Sequence, residues 1–138
     1  MIAAGERVRR RVATAALAGG ALDLAFWLLY AAGLVAAGQE GPAASYETAF
    51  PFADALLGFA LIGAAVALRL HRSAGPFLLV VAASMALSRG VLDLTFYTRQ
   101  QLSRLPAWSG ILALILNAVC IGGGAAGLWY GWRLWRTP

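Results

Sequence analysis

Four long apolar runs, separated by short polar stretches, set the pattern of this chain. They extend from about Val12 to Ala37, Thr48 to Leu70, Pro76 to Thr98 and Ala107 to Trp132. As a helix rising 1.5 Å per residue, each run is long enough to cross a hydrocarbon layer of ~30 Å. The pattern predicts an all-α integral membrane four-helix bundle, a single membrane domain over residues 1–138. Residues 38–47 combine Gly, Gln, Glu and Pro and read as a loop. Arg69 to Gly75 reads as a tight basic turn, and Arg99 to Pro106 as a second loop. Pro51 falls in the first turn of the second run, where proline is tolerated.

Composition strengthens the membrane reading. The chain is 61% hydrophobic and 12% charged, and soluble domains carry roughly twice that charged fraction. Every basic residue is arginine, which with the abundant Ala and Gly points to a GC-rich bacterial genome and a multi-pass protein of the bacterial inner membrane. The net charge of +5 could serve nucleic acid, but its placement favours topology. Arg7, Arg9, Arg10, Arg11, Arg69, Arg72, Arg133 and Arg136 fall on one side of the four runs, against Arg99 and Arg104 on the other. The positive-inside rule then places both termini in the cytoplasm. The arginine-rich start resembles a signal peptide. The first run is too long for that and contains Asp23, so it reads as a retained span.

A repeat organises the chain. Gly20-Ala21-Leu22-Asp23-Leu24-Ala25-Phe26 matches Gly90-Val91-Leu92-Asp93-Leu94-Thr95-Phe96 at Gly, Leu, Asp, Leu and Phe. Further back, Ala13, Ala16 and Leu17 match Ala83, Ala86 and Leu87. Arg69-Leu70-His71-Arg72 ends the second run as Arg133-Leu134-Trp135-Arg136 ends the fourth, and Gly58 and Gly63 align with Gly122 and Gly127. The prediction is two tandem helical hairpins related as a parallel internal repeat.

The repeated acid is the chemical signal, because a carboxylate is costly inside a membrane. Asp23, Asp54 and Asp93 lie one to a helix on the first three helices, and Arg89 and Asn117 lie at similar depth. Counting residues puts Asp23 near the midplane, with Asp54 and Asp93 closer to the outer surface and open to wetting there. The three acids are the candidate catalytic residues. Arg89, Asn117, Trp27, Tyr30 and Tyr97 are the candidate ligand-binding residues, an apolar face with a few polar heads. Arg89 replaces Gly19 of the first repeat and stands one helical turn from Asp93, so it is expected to bind Asp93, Asp54 or both. A structural alternative has Asp23 tied to Asn117 or to backbone.

Three classes of function follow. One is a site that binds or transforms a small amphipathic or isoprenoid-like molecule by acid–base chemistry. The second is a proton-coupled transporter or channel acting as an oligomer. The third is a structural or accessory subunit. Gly123, Gly127 and Gly131 form a ridge that predicts close packing within the bundle, or else a homodimer face. Trp129, Tyr130, Trp132 and Trp135 read as an interfacial aromatic belt. Lone Cys120 reads as a small buried hydrophobe, and His71 as a solvated interfacial residue. The chain has no Cys/His spacing of the metal-binding kind, and neither a metal nor a cofactor is expected.

Two segments carry a resemblance. Pro51-Phe52-Ala53-Asp54-Ala55-Leu56-Leu57-Gly58 and Gly90-Val91-Leu92-Asp93-Leu94-Thr95-Phe96-Tyr97 resemble the small four-helix bacterial membrane proteins typified by YvaD. The resemblance covers the second and third runs. It implies the four-span layout and carries no chemistry.

Overall fold

The computed structural model describes residues 2–34, 50–100 and 107–136. Among them are four α-helices: α1 (Ile2–Ala31), α2 (Pro51–Arg69), α3 (Ala74–Gln100) and α4 (Ala107–Arg136). Within them Gly5–Ala31, Pro51–Arg69, Ala74–Arg99 and Leu114–Arg136 are long and apolar enough to cross a membrane. By helix length and hydropathy the chain is a multi-pass membrane protein. The first loop, residues 38–47, and Arg104 lie outside the described residues.

The helix ends follow from local chemistry. Pro51 opens α2 at the first helical position, where its missing N–H costs no bond. After α1, Gly33 takes a left-handed φ of 71°. There the N–H of Leu34 donates to Leu29 O and that of Gly33 to Tyr30 O, both at 2.9 Å. This crossed pair closes the last turn and satisfies carbonyls that would otherwise face hydrocarbon. The end of α2 repeats the motif with His71 at φ 52°. Arg72 N–H donates to Ala67 O at 2.9 Å, and His71 N–H to Leu68 O at 3.3 Å. The tight basic turn expected between the second and third runs is this cap.

Two compact units divide the chain, Met1–Leu79 and Val80–Pro138. In the first, α1 packs against α2 as an antiparallel pair. Its seam is built mainly of small side chains, with Ala13, Ala16, Ala64, Ala65 and Ala67 buried beside Leu57 and Leu68. Leu22, Leu28, Phe52 and Phe59 are largely exposed instead. This inverts a soluble core and suits lipid, where close backbone approach supplies the attraction and large apolar residues face acyl chains. Gly20 is the closest point: a Cβ built there would lie 2.6 Å from the Gly58 carbonyl oxygen.

The second unit pairs the rest of α3 with α4. A Cβ on Gly90 would lie 2.8 Å from Ile121 Cγ1 and 3.0 Å from Cys120 Cβ. A Cβ on Gly124 would lie 2.8 Å from the Ala83 carbonyl oxygen. The repeated glycine therefore has the same task in each hairpin, since Gly20 and Gly90 are both contact points. The opposing registers differ. Gly20 meets Gly58, Leu61 and Ile62, whose aligned positions in α4 are Gly122, Ala125 and Ala126, but Gly90 meets Cys120 and Ile121.

The expected ridge on α4 is also offset. Gly124 and the buried Gly131 lie on the packed seam with Asn117, whereas Gly123 is exposed with open space around it. Gly123, Gly127 and Gly131 thus do not form one exposed face. Hydroxyls within the helices are satisfied locally: Ser84 donates to Val80 O and Thr95 to Val91 O. At the end of α4, Arg133 lies over the Trp129 ring and Arg136 over Trp132 at 4.9 Å, which gives the aromatic belt its cationic partners.

Candidate functional site

The polar groups of the first hairpin are placed by the seam between α1 and α2. Trp27 and Asp54 meet across it, with the indole Nε1–H donating to Oδ2 of Asp54 at 3.2 Å. One turn inward, Asp23 lies opposite Gly58. A Cβ on Gly58 would come within 2.8 Å of Leu24 Cγ and 3.0 Å of Asp23 Oδ2. The missing side chain of Gly58 makes room for the Asp23 carboxylate. The next level is the Gly20 contact. Asp23 and Trp27 are thus four residues apart on one face of α1, facing Gly58 and Asp54 four residues apart on α2.

Asp54 is 5% exposed. Wetting at the outer interface, expected from its position in the chain, does not describe it. It sits in the first turn of α2, where the helix dipole favours a negative charge, and it accepts the Trp27 hydrogen bond. These two features offset part of its desolvation cost. Beside it, Phe26, Trp27 and Tyr30 form an edge-to-face ladder with centroid separations of 5.2 and 5.5 Å.

In the second hairpin, Arg89 and Asp93 form an ion pair between Nη1 and Oδ1. The four-residue spacing puts both heads on one side of α3. Their side chains are 18% and 17% exposed. Phe96 and Tyr97 stack edge to face at 5.7 Å just beyond. Asn117 is 5% exposed on α4.

The sequence-derived candidates therefore fall into defined places. Trp27, Asp54 and Asp23 share the first seam, with Tyr30 next to Trp27. Arg89 is joined to Asp93, with Tyr97 one turn further along α3. Gly58 was not among the candidates, although it shapes the space for Asp23. A glycine opposite a repeated acid is the signal that could have marked it. The basic end of the first hairpin, where Arg9, Arg10, Arg69 and His71 gather beside Glu6, was read from sequence as topology alone. No protein-family model, characterised protein or solved structure matches this chain.

Proposed function

We propose that this small polytopic membrane protein binds or transforms a small amphipathic or isoprenoid-like molecule at its intramembrane acids, by acid–base chemistry. Asp23, Asp54 and Asp93 supply the carboxylates and Arg89 the anion partner. Trp27, Tyr30 and Tyr97 flank them as amphipathic rings, and Asn117 adds an amide. Support comes above all from Asp54, a carboxylate 5% exposed inside an apolar helix and held by Trp27. An ionisable group within a membrane span is by default a reason to propose a functional site. The rings beside it give the mixed apolar and polar lining that small ligands require.

We propose the orientation as well. Both termini face the cytoplasm of a bacterial cell, the two hairpins form a parallel repeat, and the acids occupy the central and outer part of the membrane. A molecule entering from the outer leaflet reaches them first. We also propose a four-span layout of the kind that the resemblance to YvaD-like proteins implies.

The test is retention of a native small molecule. The full chain is extracted with its surrounding lipids and bound molecules are read by mass spectrometry. The wild type is expected to hold a discrete amphiphile that Asp54→Asn holds about tenfold less, in line with loss of a hydrogen bond to a charged group. A wild type that carries only bulk lipid contradicts the proposal.

A further inference from the structure

At the basic end of the first hairpin, α1 and the end of α2 enclose an open pocket of about 260 Å³, lined by Glu6, Arg9, Arg10, Arg69 and His71 together with Leu68. The arginines are held in different ways. Arg9 donates its Nε to the Leu68 carbonyl at 2.8 Å. Arg69 donates Nη2 to Thr14 Oγ1 at 3.1 Å. Arg10 donates Nε to Glu6 Oε1 at 2.9 Å, and His71 Nε2 stands 3.6 Å from that same oxygen. A guanidinium has five N–H donors, so each of the three retains donors beyond its protein bond. One acid stands among three arginines and a histidine, which leaves the pocket with an excess of positive charge.

We propose that this pocket binds the phosphate of an anionic lipid headgroup. Guanidinium forks match phosphate oxygens in geometry and charge. Basic pockets between membrane helices at the cytoplasmic face bind phosphorylated headgroups of this kind. Arg69 is the last residue of its span, so the pocket sits at headgroup level. Val8 and Leu70, next in sequence to pocket residues, are exposed and apolar, as contact with acyl chains requires.

His71 adds a further polar group. It occupies the left-handed position of the α2 cap, where glycine is most at ease and histidine is tolerated. From there its Nε2 stands 3.6 Å from Glu6 Oε1, beside the arginines.

The test uses the full chain in nanodiscs of phosphatidylcholine, with and without phosphatidylglycerol, and reads bound lipid by native mass spectrometry. Phosphatidylglycerol is expected to bind in preference to phosphatidylcholine. Arg10→Gln with Arg69→Gln should lower that binding roughly thirtyfold, whereas Arg133→Gln with Arg136→Gln should leave it unchanged. His71→Gly separates binding from folding: thermal stability should hold or rise while phosphatidylglycerol binding falls. Equal losses in the two arginine pairs would reduce the effect to general attraction by the basic side and overturn the site. Unchanged binding in His71→Gly would overturn it as well. Displacement of the lipid by inorganic phosphate at millimolar concentration would assign the pocket to soluble phosphate and overturn the lipid assignment.

Discussion

Trp27 and Asp54 come from different helices and share a hydrogen bond of 3.2 Å inside the apolar part of the chain. The bond joins α1 to α2 and gives the buried Asp54 carboxylate a donor. Trp27→Phe retains the ring packing and removes the donor. It should lower stability in detergent by about 1 kcal/mol, the scale of side-chain hydrogen bonds between membrane helices. Unfolding followed by circular dichroism checks this, and an unchanged midpoint would mean that the bond contributes nothing.

Gly20 and Gly19 give a paired prediction on packing. A methyl group on Gly20 meets a backbone oxygen at 2.6 Å, while one on Gly19 meets only Leu61 Cδ1 at 3.8 Å. Gly20→Ala should cost roughly 1–3 kcal/mol by overpacking. Gly19→Ala should be neutral or slightly stabilising, because alanine favours the helix. Thermal unfolding of the two variants side by side decides it, and equal effects would place the seam elsewhere.

Gly90 and Gly122 make the same comparison in the second hairpin. Gly90→Ala pushes on Ile121 and Cys120, whereas Gly122 has open space. Gly90→Ala should therefore unfold at lower temperature than Gly122→Ala. A comparable loss in both variants would show that the two hairpins share one register.

Much of the fold is written in the spacing of apolar runs, and much of its packing is not. The four helices, the proline start of α2 and the basic turn at His71 follow from runs and breakers that act locally. The packed faces do not follow, because in lipid the outward face of a helix is as apolar as the inward one. Gly123, Gly127 and Gly131 have an attractive spacing, yet Gly124 makes the contact with Ala83; the sequence of α4 carries no periodic signal to choose between them. The repeated Gly20 and Gly90 were visible as matched letters, but their role as contact points depends on partners. Among the candidate residues, Asp54 and Trp27 were each legible from residue type, and their pairing needed the register of α1 on α2. Arg89 with Asp93 was legible outright, because the two are one turn apart on a single helix.

Topology is tested by cysteine labelling in a chain with Cys120 replaced by Ala. Ser73 lies exposed in the basic turn, and a cysteine there should react only with reagent that has access to the cytoplasm. A cysteine at Ser45, in the first polar loop of the sequence, should react from the outside. The opposite pattern would invert the chain and the assignment of the acids to the outer part of the membrane.

The proposed role of the intramembrane acids and of Arg89 is ligand binding rather than structure alone. Its most direct test is a double-variant comparison at Arg89 and Asp93, which form an ion pair on one helix. Arg89→Gln strands a desolvated carboxylate and should destabilise the protein by about 3–5 kcal/mol. Adding Asp93→Asn removes that charge and should recover part of the loss. Retention of the native small molecule is then measured in the folded double variant beside wild type. Recovered folding without recovered retention is expected; a double variant that folds and holds the molecule as wild type does would show that the pair is structural alone.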